Sequence, residues 1–314
     1  QIEVRRIDRG AGLRGRGQRD LRNLHGGKKE NGGKDKSRPG HGMHSRSWGH
    51  DITRDSPVRR VALGCISVII PTMQREHHHW HSPNLGWDMG VAVYGHFGAP
   101  LLFFPTSLGD EWEQEGQGMI RTLGPLIEAG RIKVFCIRSV TAEGLFNKQA
   151  HPFHRSWVLR CYDAYVRQEV IPFIHHHCNG LPPVGVMGAS LGAYHAANTI
   201  LKHPDAVKRC FALSGVYDMK RSMDGLYDDN FYYNNPIDYV PNLSDPWTYG
   251  HLATCDIRIV TGHGPFEDKG PSYHFANVLR SKGVPHSLDD WGDKGGHDWP
   301  FWHHQMWTYC SQLY

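Results

Sequence analysis

The chain has 314 residues, of which 39% are hydrophobic and 21% charged. This is enough for one large globular domain or two small ones, and it excludes a small disulfide-stabilised scaffold and a collagen-like fibre. The net charge of +4 is unevenly distributed, because residues 1–60 hold 16 Lys and Arg against 7 Asp and Glu. The basic character therefore belongs to the N-terminal segment, and the rest of the chain is acidic.

The N-terminal segment, residues 1–60, contains 11 glycines and almost no apolar periodicity. Such a composition cannot bury enough surface to offset the entropy of ordering, so we expect a disordered basic extension. An RGG-like arm that binds nucleic acid is the functional alternative. Trp48 is the segment's only aromatic side chain that could stack on bases, so nucleic acid is not an expected partner. Residues 61–72 read as a linker or an extra strand, and residues 73–314 as the organised domain.

The seven cysteines are widely spaced and include no Cys-x-x-Cys pair. We therefore expect reduced thiols and a cytoplasmic protein, without a disulfide framework or a zinc knuckle. The longest apolar run, residues 61–70, is too short to span a bilayer and too far from the start of the chain for a signal peptide, so no membrane partner is expected.

Strand-like and helix-like segments alternate over the rest of the chain, which predicts a mostly parallel sheet with helices on both faces, an α/β class. Pro172 is expected to kink or tighten the end of the longest helix. The predicted strands are 89–94, 100–104, 131–137, 183–187, 208–213, 256–260 and 286–291, and the predicted helices are 120–129, 154–175, 191–202, 273–281 and a terminal helix.

Residues 219–252 interrupt this alternation. The segment is dense in Tyr, Asn, Asp and Pro and has no sustained period, so it predicts a small aromatic cap or excursion between two strands. A surface loop without function is the alternative. If the segment is a cap, Phe231, Tyr232 and Tyr233 are candidates to line a substrate pocket, together with Trp299.

The pentapeptide Gly188-Ala189-Ser190-Leu191-Gly192 matches Gly-x-Ser-x-Gly and lies between a predicted strand and a predicted helix. That context is typical of a nucleophile elbow, in which a strained turn exposes a serine hydroxyl and the flanking glycines avoid clashes with nearby backbone. We therefore interpret Ser190 as a nucleophile. The following helix would offer its N-terminal dipole and the Leu191 amide to an oxyanion.

A serine nucleophile needs a histidine base that is held by a carboxylate. His297 follows the last predicted strand through a glycine-rich loop, whereas His286, His303 and His304 lie elsewhere. The acid should follow the strand before it, where Glu267 and Asp268 are adjacent. We favour Glu267, with Asp268 as the first alternative acid and Asp218, after an earlier strand, as the second.

A second oxyanion donor is expected from the loop after residues 100–104. Ser107 is the first choice, with Thr106 and Leu108 as alternatives. The histidine clusters 77–81, 175–177 and 303–304 do not predict a metal, because consecutive histidines point in different directions and rarely converge on one ion.

Several segments together resemble the esterase D-type putative esterases of bacteria, which belong to the α/β-hydrolase superfamily. The resemblance covers residues 73 to about 310 and implies an α/β-hydrolase fold, hydrolysis of carboxylic esters by Ser190 and His297, and an acid within residues 262–268. The sequence departs from the family at Leu108, where a glycine is expected, and Leu108 would narrow the acyl pocket. The segments that carry the resemblance are REHHHWHSPNLGWDM, LLFFPTSLGDEWEQEG, GMIRTLGPLIEAGRIKVFCIRS, GASLGAYHAAN, LSGVYDM, YDDNFYYNNPIDYVPNL, TGHGPFED and GGHDWPFW.

The sequence thus predicts a serine carboxylesterase without a cofactor that acts on small, short-acyl esters. Two alternatives stay open: an acyltransferase that uses the same three residues, and a non-catalytic binding protein that uses the basic arm on nucleic acid. A homo-oligomer is compatible with the sequence, which does not determine it.

Overall fold

The computed structural model describes residues 73–314. The predicted extension at residues 1–60 and the predicted linker or strand at 61–72 lie outside the described residues. Eight strands form one sheet in the order β1-β2-β4-β3-β5-β6-β7-β8. The strands are β1 Arg75–His81, β2 Asp88–Tyr94, β3 Ala99–Phe104, β4 Ile132–Ile137, β5 Val184–Ala189, β6 Val207–Leu213, β7 Asp256–Thr261 and β8 Ser287–Asp290.

The sheet is mostly parallel, as expected. Strand β2 runs antiparallel to both of its neighbours, β1 and β4, and every other neighbouring pair is parallel. The carboxyl ends of the parallel strands therefore meet at one edge of the sheet, which is where α/β folds place their ligand sites. We call this edge the carboxyl edge.

Helices cover both faces of the sheet. Residues of α3, α4, α5 and α9 pack in the larger apolar core cluster, whereas residues of α2 and α10 pack in a second cluster against the opposite face. The α-helices are α1 Glu113–Gly116, α2 Met119–Glu128, α3 Pro152–Tyr165, α4 Ile171–His177, α5 Leu191–Lys202, α6 Asp229–Tyr232, α7 Pro236–Tyr239, α8 Pro246–Leu252, α9 Gly270–Ser281 and α10 Trp299–Leu313.

The inner strands are apolar on both faces, which explains why they could be recognised from the sequence. Every residue of β4 and of β5 is buried, as expected for parallel strands covered by helices on two sides. Strand β1 was not predicted. Its residues alternate between exposed and half-buried positions, and four of the seven are histidines, so it lacks the apolar run of an inner strand.

The long helix predicted at residues 154–175 is divided. A π-helical turn at Val166–Val170 separates α3 from α4, and the Ile171 amide bonds to the Val166 carbonyl. Pro172 lacks an amide hydrogen and its ring would clash with the preceding helical turn. The π-helical turn accommodates it, so the helix is widened before the proline instead of tightened after it.

The excursion at residues 219–252 is ordered and helical. It contains α6, α7, α8 and two short 3₁₀ turns, Lys220–Ser222 and Val240–Asn242. Side chains of Asp228 and Asp245 cap α6 and α8 by accepting hydrogen bonds from their first-turn amides. Within residues 73–314, no helix is both long enough and apolar enough to cross a membrane.

Candidate active site

Ser190 lies in the turn between β5, which ends at Ala189, and α5, which begins at Leu191. Its backbone has φ of 57° and ψ of −120°, a left-handed conformation that costs a non-glycine residue about 1–3 kcal/mol. Its amide donates to the Leu213 carbonyl at 2.9 Å, which ties the turn to the end of β6. The serine is therefore held at the carboxyl edge in the strained geometry of a nucleophile elbow.

The two glycines of the motif are required by backbone contacts. A Cβ built on Gly188 would lie 2.1 Å from the carbonyl carbon of Gly192. A Cβ built on Gly192 would lie 2.5 Å from the Pro105 carbonyl oxygen and 2.9 Å from that of Phe104, at the end of β3. Since real Cβ contacts are longer, any side chain at either position forces the backbone of the turn to move.

Two loops at the same edge carry the predicted acid and base. The loop after β7 and the loop after β8 are joined where the Gly264 amide donates to the Gly295 carbonyl at 2.7 Å and the His297 amide donates to the Pro265 carbonyl at 2.9 Å. A Cβ on Gly262 would lie 2.2 Å from the Gly295 oxygen. This close contact between glycines brings His297 against Glu267.

Glu267 is the carboxylate that faces His297. Its Oε2 lies 3.8 Å from His297 Nδ1, and the Glu267 side chain is fully buried. Its Oε1 accepts a hydrogen bond from Thr261 Oγ1 at 2.8 Å, whereas Oε2 has no hydrogen-bond partner within residues 73–314. A buried carboxylate oxygen without a partner is costly, so His297 is the group that can satisfy it.

The two alternative acids are occupied elsewhere. Asp268 Oδ1 accepts from the Gly270 amide at 2.9 Å, at the start of α9. Asp218 accepts from the Lys220 amide and from Asn235 Nδ2, each at 3.1 Å, and so anchors the excursion. Neither carboxylate faces His297 in the described ion pairs and hydrogen bonds.

Ser190 and His297 belong to the same edge and are linked by a short series of contacts. Ser190 bonds to Leu213, and the side chain of the next residue, Ser214, accepts from Trp302 Nε1 at 3.0 Å. The Trp302 ring in turn packs edge-on against His297, with 5.3 Å between the ring centroids. The structure therefore gathers the predicted nucleophile and base on one side of the sheet.

The loop after β3 lies beside the serine turn through the contact of Gly192 with Pro105. The Thr106 amide donates to Glu113 Oε2 at 2.7 Å, and Thr106 Oγ1 donates to Glu113 Oε1. Burial raises the pKa of the Glu113 carboxyl above its ordinary value, and the two bonds from Thr106 act in the opposite direction. Within residues 73–314, the amides of Ser107, Leu108 and Leu191 have no protein acceptor, whereas the Thr106 amide is occupied.

A cavity of about 540 Å³ opens beside this loop, within the usual size range of ligand sites. Leu108, which is 64% exposed, is one of its lining residues. Most of the others are polar or charged: His77, His79, Asp88, Asp110, Glu111, Arg138 and Ser139.

The other candidate pocket residues do not line this cavity. Phe231 is fully buried and packs with Leu191 and Tyr194 in a third apolar cluster, so it is a core residue and not an open pocket wall.

The remaining three candidates form aromatic pairs. Tyr232 and Tyr233 stack edge-on with 4.9 Å between ring centroids, and Tyr233 is 59% exposed. Trp299 packs against Trp302 at the start of α10, 5.2 Å between centroids.

One mixed cluster has the geometry of a metal site within the described residues. It combines Glu76, His78 and His177, whose donor atoms lie within 4.8 Å of one another. Glu76 Oε2 is within hydrogen-bond distance of both histidine Nε2 atoms, at 3.0 and 3.1 Å, so these groups satisfy one another. The cluster thus takes one histidine from each of two runs, which an inspection of each run alone does not reveal.

Comparisons with known proteins identify the family and the fold. The family described as putative esterase matches residues 82–312. The chain belongs to this family. It is thus an esterase-type hydrolase with the α/β-hydrolase fold, as the resemblance implied. No curated protein matches the sequence.

Solved structures support the fold. A ferulic acid esterase has a TM-score of 0.60 at 16% identity, with 77% of this chain and 99% of that chain covered. The S-formylglutathione hydrolase of Agrobacterium tumefaciens has a TM-score of 0.58 at 15% identity, with coverage of 76% and 94%. FrmB, the S-formylglutathione hydrolase of Staphylococcus aureus, has a TM-score of 0.55 at 16% identity, with coverage of 77% and 96%.

Three residues that contact the site had no signal in the sequence. Thr261 bonds to Glu267, and Glu113 and Ser139 hold the loop after β3. Each is an ordinary residue type, at the end of a strand, at the start of a helix or in a loop, and only the fold shows which group it contacts. Among the three, only Thr261 has a position that indicates a place near the site, because it is the last residue of β7.

Proposed function

We propose that the protein is a serine carboxylesterase that works through an acyl-enzyme intermediate. Ser190 Oγ attacks the ester carbonyl carbon while His297 takes the hydroxyl proton, which it then gives to the leaving alcohol. A water molecule then attacks the acyl-enzyme, with His297 again as base, and releases the acid and free Ser190. Glu267 orients the imidazole and stabilises the imidazolium, and the amides of Leu191 and Ser107 bind the oxyanion.

The observation that carries this proposal is the buried, unpaired Oε2 of Glu267, which faces His297 Nδ1 at 3.8 Å. This distance is longer than a hydrogen bond, and catalytic hydrogen bonds often tighten only when substrate binds. Protonation of His297 during the attack of Ser190 would strengthen the attraction to Glu267. The arrangement therefore favours the imidazolium that the reaction requires.

We infer that an ester bound at Ser190 extends into the cavity beside the loop after β3, whose lining includes Leu108 but neither Ser190 nor His297. Charged residues in its lining, such as Arg138 and Glu111, can bind a polar alcohol or acid portion of the ester. Leu108 occupies the cavity wall where a smaller residue would leave more room. We infer that short acyl esters are the substrate class.

A series of p-nitrophenyl esters from acetate to decanoate tests the proposal. The wild type is expected to prefer the short chains, and Ser190→Ala is expected to lower kcat/KM by at least about 10³-fold. Ser281→Ala is the matched control, because Ser281 Oγ bonds to the Val278 carbonyl at the end of α9, remote from the site. Inactivity of the wild type on every ester would contradict ester hydrolysis, and full activity of Ser190→Ala would contradict the role of Ser190.

A further inference from the structure

The Ser107 amide lies between two peptide groups that are each held by a side chain. On one side, Glu113 accepts the Thr106 amide at 2.7 Å and also the Thr106 hydroxyl. On the other side, Ser139 Oγ donates to the Ser107 carbonyl at 2.9 Å. The peptide group between them, which carries the Ser107 amide hydrogen, has no hydrogen-bond acceptor within residues 73–314.

Ser139 is itself firmly held. Its side chain is buried, its amide donates to the Gly109 carbonyl at 2.9 Å, and its Oγ accepts from the Thr141 amide at 3.0 Å. The Thr141 hydroxyl lies 2.6 Å from the same oxygen. Ser139 therefore joins the loop after β3 to the loop after β4 by side-chain and main-chain bonds together.

Glu113 fits closely against the same loop. A Cβ built on Gly109 would lie 2.4 Å from the Glu113 carboxylate carbon, so the carboxylate occupies the space that a larger residue at position 109 would take. Its two oxygens are both used by Thr106. Gly109 does not lie in the left-handed region, so the contact with the Glu113 carboxylate is the reason for a glycine at this position.

We propose that Glu113 and Ser139 are positioning residues that aim the Ser107 amide at the oxyanion, an inference that rests on the proposed function. A peptide group is planar, so fixing the groups before and after it leaves little freedom for the one between. The donor is then oriented before the substrate binds, which is what makes oxyanion stabilisation effective. Neither side chain contacts the reacting ester group in this mechanism, although Ser139 also contributes to the wall of the cavity.

The first test compares substitutions of Glu113. Glu113→Ala is expected to lower kcat about 10²-fold with KM within twofold, because a misdirected donor weakens binding of the transition state more than of the ester. Glu113→Gln should retain most activity, since its amide can accept from the Thr106 amide and donate to the Thr106 hydroxyl. Glu115→Gln is the matched control, because Glu115 bonds instead to Arg75 and Tyr94.

The second test uses Ser139→Ala, which keeps the main-chain bond to Gly109 and should lower kcat about tenfold. Because both side chains act on one amide, kcat of the double variant should fall by no more than the effect of one oxyanion donor, about 10³-fold. An aryl boronic acid, which forms a tetrahedral adduct on the serine, should lose affinity in parallel with kcat. If the two side chains only stabilise the fold, their removal lowers the melting temperature, and the loss of boronic acid affinity does not follow the loss of kcat.

The inference is overturned if Ser139→Ala and Glu113→Ala keep kcat and boronic acid affinity within twofold of the wild type, or if Glu115→Gln reproduces their losses. Should Glu113→Ala fail to fold, Ser139→Ala decides on its own. Failure of the proposed function looks different, because the wild type itself would then hydrolyse no ester.

Discussion

The serine turn and the two loops that carry Glu267 and His297 reach the same edge of the sheet but are held in different ways. The turn is fixed by backbone against backbone, with Gly188 against Gly192 and Gly192 against Pro105. The loops are joined by main-chain hydrogen bonds, but their two functional side chains are 3.8 Å apart. The proposed nucleophile is thus placed by steric contacts, whereas the proposed acid–base pair depends on a side-chain contact longer than a hydrogen bond.

This difference indicates which part of the site adjusts during the reaction. A turn held by close backbone contacts has no room to move without disturbing β3, β5 and α5. The imidazole of His297 is partly exposed and needs a movement of about 1 Å to bond to Glu267. We therefore expect any adjustment on substrate binding to occur in the loops after β7 and β8.

The largest effect is expected where the acid is removed. Glu267→Gln should lower kcat by about 10³- to 10⁴-fold, because the imidazolium loses its counter-charge and the imidazole its orientation. Asp268→Asn is the matched control and should keep kcat within about threefold of the wild type, since Asp268 Oδ1 bonds to the Gly270 amide and not to His297. Steady-state kinetics on p-nitrophenyl acetate distinguishes them, and equal losses in the two variants would refute the assignment of Glu267.

A smaller loss of activity, accompanied by a loss of stability, is expected in the serine turn. Gly188→Ala places a methyl group against the Gly192 backbone, so it should destabilise the fold by about 1–3 kcal/mol. It should also lower kcat about 10²-fold by displacing Ser190. Urea denaturation and kinetics measure the two effects.

Gly250→Ala is the control for this substitution. A Cβ at Gly250, within α8, has no neighbouring atom within 4 Å, and alanine favours a helix over glycine. We expect stability and activity at or slightly above the wild-type values. If Gly188→Ala behaves in the same way, the backbone contact does not hold the serine.

Much of the fold could be predicted because the inner strands are apolar runs that alternate with amphipathic helices. Helix α5 begins and ends at the predicted residues, and the strands from β2 to β7 lie within two residues of their predicted bounds. Strand β1 could not be recognised, since a half-exposed edge strand rich in histidine has no apolar run. The π-helical turn before Pro172 was also unpredictable, because several helical distortions can accommodate a proline.

The serine turn could be predicted from the sequence better than the two loops that carry Glu267 and His297. Ser190 could be identified because steric constraints leave a trace in the sequence, namely glycines at fixed positions around it. The acid stayed among Glu267, Asp268 and Asp218, because a sequence does not show which carboxylate turns inward. Phe231 was placed on a pocket wall because aromatic residues in an irregular segment suit either a pocket or a core, and here it belongs to the core.

The smallest effect tests how Glu267 is oriented. Thr261→Val removes the hydrogen bond to Glu267 Oε1 at the buried end of β7. We expect kcat to fall about tenfold, as the loss of one hydrogen bond to a charged group predicts. The control is Thr199→Val, which removes another buried hydroxyl, one that bonds to the His195 carbonyl within α5. If both variants lose activity equally, burial of a threonine explains the loss. If only Thr261→Val loses activity, the hydrogen bond from Thr261 orients the Glu267 carboxylate, because without it the carboxylate can turn away from His297.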